Sequence, residues 1–519
     1  MASAAAQPGK PPPAGAVAPP LADEPLLPVA NHALLLVGIM LASLIQILDT
    51  TIANVALPHM QSALGATPES VTWVLTSYIV ASAVAMPITG WLADHIGARR
   101  LFILSTAGFV VTSMACGLAQ NLEEMVLFRT AQGITGAFIG PLSQSFMLDT
   151  SRPSKHPQMM ALWGMGVMIG PIMGPVLGGW LTENFSWRWV FFVNLPLGAI
   201  SLAIMLAALP KRPAEKRKFD MSGFLIVGLA LASLQLLLDR GMQIDWFASG
   251  EAWIYAGIIL SCLWMGAVHF STTKNSLFDP HLFADRNFVI SCGFILIVGC
   301  VMYANMALFA PMMQNLLGYS VIETGWLMMP RGIGVMISMQ LAGLLMRRGV
   351  DARILVAFGF VLTIASLWEM TSWSLDVDSS HIVWTGIVQG LGIGLIFMPL
   401  NSVAFITLPP RLRTDGSSLL SLMRSLGGSV GISVATVNFA HSLQTSHSDL
   451  TGHVTNATTS SIDFSAVDRF QGIGDVVMVT LDGMINRQAA MIAYLNDFYL
   501  MMWMSIAALP LLFFMKTKR

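Results

Sequence analysis

Apolar stretches of about 20 residues, each long enough to cross a bilayer as a helix, recur along the chain between short polar segments. They predict fourteen membrane spans, although a count of twelve or thirteen also agrees with the pattern because the boundaries can shift by several residues. The predicted spans lie near residues 33–57, 71–92, 101–119, 124–148, 158–181, 189–209, 221–239, 252–270, 288–313, 322–345, 353–373, 382–407, 416–440 and 491–515.

The spans divide into groups of six, two and six, which predicts an all-α polytopic membrane protein of two six-helix bundles with two extra linker helices. A faint repeat supports this, since Gly90, Arg100 and Pro58 recur 253 residues later as Gly343, Arg353 and Pro311. Transporters built from parallel halves bind substrate between them near the bilayer midplane. The predicted units are a disordered cytoplasmic tail (1–32), an N-terminal bundle (33–209), a linker with two extra spans (210–287), a C-terminal bundle (288–515) with an outer loop (441–490), and a cytoplasmic tail (516–519).

Composition and charge agree with this class. Only 11% of the residues are charged and the mean hydropathy is +0.68, whereas soluble domains carry about 25% charged residues. If both termini are cytoplasmic, 20 of the 27 Lys and Arg residues fall on the cytoplasmic side, as the positive-inside rule requires. The four cysteines lie in spans without metal-ligand spacing, and no basic block suggests nucleic acid. No cleavable signal peptide is evident.

One acidic residue and one basic residue inside the spans are candidates for proton coupling. Asp49 lies in span 1, and a carboxylate inside a membrane helix is costly unless it is paired, hydrated or protonated. Arg129 in span 4 lies at a depth that differs by roughly 5 Å, at 1.5 Å per residue, so it is the natural partner. We predict that Asp49 and Arg129 bind and release the transported proton; a fixed structural ion pair is the alternative.

The short loop predicted at the end of span 2 carries Gly90, Asp94, Gly97, Arg99 and Arg100. Glycines allow a tight turn between helices, and an aspartate can cap a helix or pair with an arginine. We predict a conformational latch that breaks and re-forms as the two halves move; an ordinary charged loop is the alternative.

Span 5 combines a ladder of glycines at every fourth position with two prolines. Such a ladder lets another helix approach closely, and proline bends a helix. We predict a mechanical role at a moving interface, with close packing alone as the alternative. The residues are Gly166, Gly170, Pro171, Gly174, Pro175, Gly178 and Gly179.

Two further cations lie within spans, Arg331 in span 10 and Arg424 in span 13. Each is predicted to face a water-filled cavity or to pair with an acid such as Glu323 or Glu369. The sequence does not assign the partners.

Together these stretches resemble the fourteen-span drug:proton antiporters of the major facilitator superfamily. The resemblance covers roughly residues 33–515, and the span 5 motif is its most specific part because uptake members generally lack it. It implies the major facilitator fold and export of lipophilic or cationic drugs, driven by the proton gradient with no cofactor. The matching stretches are Leu48–Pro58, Gly90–Arg100, Arg129–Gly136, Gly166–Gly179 and Trp187–Pro196.

Within that branch, the long segment 441–490 resembles EmrB-type subunits of the bacterial inner membrane. This implies a periplasmic adaptor and an outer-membrane channel as partners, with 441–490 as a docking surface; a tolerated insertion is the alternative. The second half departs from the motifs, since Met302, Arg347 and Gly386 stand where Asp49, Asp94 and Arg129 stand in the first. Proton coupling is therefore expected in the first half.

Several rival functions remain open at this point. An exporter of an endogenous metabolite, siderophore or lipid fits the same features, and an uptake symporter fits the fold but not the span 5 motif. An enzyme is disfavoured because no catalytic or metal-ligand constellation is evident, and a channel would not need the alternating-access elements. ATP is not the expected energy source, because no Gly-x-x-x-x-Gly-Lys-Ser/Thr loop is present.

Overall fold

The computed structural model describes residues 23–212, 218–273, 276–453 and 473–515. Within them, thirteen helices have the length and hydropathy of a membrane span. A further span, α4, is divided into two shorter pieces by a break at Ala137–Phe138. The count therefore agrees with the predicted fourteen.

We label the helices of the fourteen spans in chain order. They are α1 (His32–Ala63), α2 (Trp73–Ala85, continued as Thr89–Ile96), α3 (Ala98–Leu118), α4 (Leu122–Gly136 and Ile139–Asp149), α5 (His156–Asn184), α6 (Asn194–Ala208), α7 (Met221–Arg240), α8 (Gly250–Thr272), α9 (Arg286–Pro311), α10 (Val321–Arg347), α11 (Ala352–Thr371), α12 (Ser379–Ile406), α13 (Arg413–Gly452) and α14 (Ile473–Ala508).

Polar side chains determine where many of these helices begin. A side-chain oxygen just before the first turn accepts a hydrogen bond from a backbone N–H that has no partner within the helix. Because the helix interiors are almost entirely apolar, these caps account for much of the polar sequence between spans. The capping residues are Asn31, Asn121, Asp220, Ser249, Asp285, Ser320, Asp351 and Asp378.

The helices form two bundles and a peripheral pair. In the N-half, α1 packs on α5 and α6, and α4 packs on α2 and α3. In the C-half, α9 packs on α13, α12 lies between α10 and α11, and α14 packs on α13 and α11. The peripheral helices α7 and α8 pack on each other, and α7 lies along α2. Only 11% of the most apolar window of α8 is buried, so this helix presents most of its surface outward.

The glycine ladder of α5 packs against α1, within the N-half. A Cβ built on Gly170 would lie 2.6 Å from Ile47 Cγ2, and one on Gly178 would lie 3.3 Å from the Ile52 carbonyl oxygen. Thr51 Oγ1 donates a hydrogen bond to the Gly170 carbonyl oxygen at 3.2 Å. The predicted close approach of a helix is therefore present, but its partner is in the same half.

A different face of α5 meets the C-half. A Cβ on Gly164 would lie 2.9 Å from Met339 Sδ, and one on Gly179 would lie 2.9 Å from Val321 Cγ1, both in α10. The boundary between the halves thus follows the length of α5 and α10. Helix α5, which contains Pro171 and Pro175, is packed both within its own half and across this boundary.

The predicted tail and outer loop both contain more structure than expected. Residues 23–31 are held against the turn between α4 and α5, since Leu27 N donates to Asp149 O at 2.8 Å. The hydrogen bonds that Ser154 donates to Asp23 keep the pKa of that carboxyl below its ordinary value. The prediction of disorder is wrong for residues 23–31, and residues 1–22 lie outside the described residues.

The segment 441–490 is helical at both ends, because α13 continues to Gly452 and α14 begins at Ile473. Polar residues in these turns ended the apolar runs but did not end the helices, since helix formation requires backbone hydrogen bonds and not apolar side chains. His447 Nε2 lies 3.2 Å from Asp482 Oδ1, so the two extensions contact each other. Residues 454–472, with 213–217 of the Lys211–Lys218 cluster, Lys274 and the tail 516–519, lie outside the described residues.

The α1–α5 packing predicts a glycine-specific effect on stability. Gly170→Ala should lower the melting temperature of the purified protein in detergent, because its Cβ meets Ile47 at 2.6 Å and the Leu48 nitrogen at 3.1 Å, an overpacking that costs about 1–3 kcal/mol. Gly257→Ala in α8 is the matched control, since nothing lies within 4 Å of its added Cβ. Equal melting temperatures for the two variants would contradict this account of the ladder.

Candidate functional site

A buried polar cluster, which we call the N-half cluster, is formed by Asp49, Arg129, Gln132 and Asn194. Arg129 Nη1 lies 2.6 Å from Asp49 Oδ2, and both side chains are at most 1% exposed. Gln132 and Asn194 donate side-chain hydrogen bonds to Asp49 Oδ1 at 2.9 and 3.0 Å. The structure thus brings together the two residues predicted as the proton-coupling pair; their role in coupling stays a prediction.

Three helices build the N-half cluster. Asp49 comes from α1, the arginine and glutamine come from one turn of α4, and Asn194 begins α6. The residues of α1 that face the glycine ladder, Ile47 and Thr51 among them, leave Asp49 on another face, towards α4. Gln132 and Asn194 were not predicted as site residues, although a polar side chain inside an apolar span was the available signal.

Arg129 has partners besides the carboxylate. It donates from Nε to the Val74 carbonyl oxygen at 2.9 Å and from Nη1 to Gln132 Oε1 at 2.8 Å. Its guanidinium also lies 4.5 Å from the centroid of the Tyr78 ring, a cation–π distance. If Asp49 became neutral, Arg129 would keep these contacts. The position of Arg129 is therefore held by contacts other than its ion pair with Asp49.

A second cluster joins the two halves at the face where the basic loop residues collect, which we call the basic face. Arg413 at the start of α13 lies 2.7 Å from Asp149 Oδ1 at the end of α4, and Arg212 lies 3.2 Å from Asp149 Oδ2. Ser145 and Thr414 form a hydrogen bond beside them at 3.1 Å, and Arg212 donates to both. We call these five residues the basic-face gate.

Other side-chain bonds between the halves lie near the basic-face gate. Gln144 donates to Asn401 at 3.0 Å, and the hydroxyl of Ser418 donates to the Met86 carbonyl oxygen at 2.6 Å. The halves are thus closed against each other at the basic face. Sequence reasoning missed Asp149, and it counted Arg212 and Arg413 only as loop charges.

The predicted latch residues lie beside this closed face, but most of them are helical. Gly90 and Asp94 belong to the second piece of α2, and Gly97 alone makes the turn to α3, with φ of 93°. Because one glycine in the left-handed region suffices for this turn, the expected loop from Gly90 is wrong. Arg99 donates to the Leu206 carbonyl oxygen at 2.7 Å, and Arg100 is exposed.

Gly90 is the latch residue that meets the C-half most closely. A Cβ at Gly90 would overlap Asp415 Oδ1 in α13. The absence of a side chain is what allows α13 to contact α2 here. The latch stays a prediction, with this contact as its structural counterpart.

The two in-span cations of the C-half have partners other than the proposed acids. Arg331 donates to Asn305 Oδ1 at 2.5 Å, and the Arg424 guanidinium lies 5.5 Å from the ring centroid of Trp163 in α5. Glu323 instead completes a capping box with Ser320 at the exposed start of α10, and Glu369 is also exposed. The proposed pairing with these acids is therefore wrong, because both carboxylates lie at helix ends in contact with the surroundings.

The sequence comparisons agree with this architecture. The family model described as Major Facilitator Superfamily matches residues 39–432. The chain is 34% identical over 428 residues to the multidrug export protein EmrB of Escherichia coli strain K12, covering 82% of this chain and 83% of that protein. It is 35% identical over 462 residues to the fatty acid resistance protein FarB of Neisseria gonorrhoeae, covering 87% and 90%.

A solved structure shows the same fold at low sequence identity. The human organic anion transporter MFSD10 (TETRAN) superposes with a TM-score of 0.57 at 14% identity, covering 91% of this chain and 99% of that one. With the family match over most of the spans, the predicted resemblance to EmrB-type proteins is confirmed. The chain belongs to the Major Facilitator Superfamily and is a multi-pass membrane transporter.

Proposed function

We propose that the protein is a proton-driven exporter of lipophilic drugs, exchanging protons for substrate by alternating access. The observation that carries this proposal is the buried Asp49–Arg129 pair, whose 2.6 Å contact lies inside the N-half. The multidrug export proteins, which share about a third of its residues over most of their length, support drug efflux. The ancestry shared with transporters also argues against an enzyme.

The proton step follows from the N-half cluster. A proton that binds Asp49 removes the negative charge from the ion pair and weakens the bonds from Gln132 and Asn194, which favour the charged carboxylate. These bonds tie α1 to α4 and α6. Protonation therefore changes the energy of the present arrangement of α1, which the glycine ladder couples to α5. This is the proposed link between proton binding and movement of the halves.

The basic-face gate supplies the other half of the cycle. We assign the basic face to the cytoplasm, on the charge rule, with both termini there and the chain in the bacterial inner membrane. The state described here is closed to the cytoplasm. Substrate entry then requires the Asp149–Arg413 contact to break, and export requires it to re-form.

The composition and the relatives indicate the class of substrate. The composition fits lipophilic and cationic drugs, since 35 methionines and 14 tryptophans suit an adaptable apolar cavity. A dedicated exporter of an endogenous lipid or metabolite is the second candidate. The similarity to a fatty acid resistance protein favours the lipid form of that alternative.

The outer ends of α13 and α14 support the proposal that the protein binds a partner protein. The 40 residues of α13 span about 60 Å, roughly twice the hydrocarbon thickness of a bilayer. The paired extensions therefore project from the face opposite the basic face. We propose that they carry the docking surface for a periplasmic adaptor, which would connect the transporter to an outer-membrane channel.

Proton coupling is tested in liposomes with an imposed proton gradient, following a fluorescent lipophilic compound. Asp49→Asn should reduce gradient-driven transport to the level of empty liposomes, because the amide cannot exchange a proton. Asp497→Asn is the control, since Asp497 is another fully buried carboxylate in a span, bonded to Asn438 and not to a cation. Unchanged gradient-driven transport by Asp49→Asn would show that another residue binds the transported proton.

Opening of the basic-face gate is tested by a reversible crosslink. In a background without the four native cysteines, Ser145→Cys with Thr414→Cys should form a disulfide on oxidation, because the native oxygens lie 3.1 Å apart. The crosslink should stop transport, and a reductant should restore it; each single cysteine variant should be insensitive. Full transport by protein whose crosslink is verified by mass spectrometry would refute alternating access through this gate.

The adaptor proposal is tested by replacing residues 445–485 with a short Gly-Ser linker, which removes the paired extensions of α13 and α14. Efflux from whole cells should fall, while transport by purified protein in liposomes should be unchanged. A loss in both assays would indicate a role in transport itself, and no loss in either would leave the extensions without a docking function.

A further inference from the structure

The two halves place a buried arginine in related positions, but only one of these arginines has a carboxylate partner. The 253-residue repeat aligns Tyr78 of α2 with Arg331 of α10, and the Gln-Gly pairs align Gln132 of α4 with Gln389 of α12. In the N-half the cation is on α4 and lies over Tyr78. In the C-half the buried cation is Arg331, which comes from α10, the helix that corresponds to α2.

Glycines on α12 make room for the Arg331 side chain, which comes from α10. Gly386 stands where Arg129 stands in the N-half, and a Cβ there would lie 3.5 Å from the Arg331 Cβ. A Cβ on Gly390 would overlap the Arg331 carbonyl oxygen, so α10 and α12 touch at this point. Arg331 therefore occupies the interior of the C-half beside α12.

The residue that meets Arg331 is an amide. Asn305 of α9 accepts its bond through Oδ1 at 2.5 Å, and it lies one helical turn from Met302, the counterpart of Asp49. In the described part of the chain, no carboxylate lies within 4.0 Å of the Arg331 guanidinium. Asp497, a fully buried acid on α14, accepts a hydrogen bond from Asn438. The C-half cluster thus carries an unneutralised positive charge.

The amides around this cation have unused hydrogen-bonding groups. Asn305 and Gln389 are fully buried and Arg331 is 8% exposed. Asn305 Nδ2 and both amide atoms of Gln389 have no partner among the described residues. Gln389 follows Gly386 by three residues and so lies on nearly the same face of α12. Donors on three helices, α9, α10 and α12, are therefore available to one anion.

We propose that Arg331, Asn305 and Gln389 form the binding site for the carboxylate of an amphiphilic organic acid, which we call the C-half anion site. A guanidinium matches a carboxylate with two parallel hydrogen bonds, and a buried cation in a membrane is costly until it is neutralised. Both α10 and α12 also contact α5 of the N-half, so the site lies next to the boundary along which the halves move. A substrate with a fixed positive charge would be repelled here. The inference deepens the proposed export function by naming a substrate class.

The test compares ligands with one tail and different heads. Dodecanoate, dodecanol and dodecyltrimethylammonium are titrated into the purified full-length protein in an uncharged detergent at pH 8, in HEPES buffer without chloride, by isothermal calorimetry. Wild type should bind dodecanoate about tenfold more tightly than dodecanol, the scale of a hydrogen bond to a charged group. Equal affinities for the acid and the alcohol would overturn the proposal.

Asn305→Asp is the decisive variant, because it gives Arg331 an internal carboxylate like that of the N-half. It should abolish the preference for dodecanoate without lowering the melting temperature. Arg331→Gln should abolish the preference as well, while Arg424→Gln, which removes the other in-span cation of the C-half, should retain it. An undiminished preference in Asn305→Asp, or its loss only in Arg424→Gln, would refute the site.

Two further measurements distinguish the C-half anion site from a site for inorganic anions and from the proposed export function. If added chloride removes the preference, a small inorganic anion occupies the site and the proposal is overturned. Binding is measured without a proton gradient, so it does not depend on transport. Loss of gradient-driven transport with the preference intact would count against the proposed export function, whereas intact drug transport without any preference would count only against the anion site.

Discussion

The cost of placing a charge in the low-dielectric interior of a bilayer is the constraint on which the functional parts of this protein depend. A span can carry an ionised side chain only if the fold provides a counter-ion, several hydrogen bonds or access to water. The N-half meets this requirement with two opposite charges and two amides, contributed by α1, α4 and α6. These helices cannot separate without exposing one charge to an apolar environment. In the proposed mechanism, the same arrangement that stabilises the N-half responds to the binding of one proton.

Close packing between α5 and α1 turns the Asp49 carboxylate towards α4. The glycines of α5 allow its backbone to approach Ile47, Leu48 and Thr51, which fixes the rotation of α1 about its axis. Asp49 then faces α4 rather than α5. A larger residue in the ladder would displace α1 and lengthen the Asp49–Arg129 contact. The ladder and the ion pair, which are distant in sequence, thus form one mechanical unit.

The sequence was informative where one residue type has one physical explanation. A charge in an apolar span, a glycine at every fourth position and long apolar runs predicted the ion pair, the close packing and the number of spans. The sequence was uninformative where the role of a residue depends on which residue of another helix it contacts. Asp149 sits at a helix end, where a charge is ordinary, and only the fold shows that Arg413 and Arg212 meet it.

Helix ends show the same limit. The polar turns at 441–452 resemble a loop by composition, yet α13 continues through them. Likewise, Glu323 was a plausible partner for Arg331 on one helix, but eight residues along a helix separate them by about 12 Å. Composition locates the apolar part of a helix and leaves its polar continuation undetermined.

The asymmetry between the halves has a consequence for energy coupling. With Asp49 charged and a carboxylate bound at Arg331, the two clusters are both neutral; with Asp49 protonated and the anion site empty, each carries one positive charge. If both proposals hold, the carrier moves outward neutral and returns inward with two positive charges. A membrane potential that is negative inside would then assist the return by about 4.6 kcal/mol per 100 mV, since each charge contributes about 2.3. The missing carboxylate of the C-half would thereby let the potential, as well as the proton concentration difference, drive export.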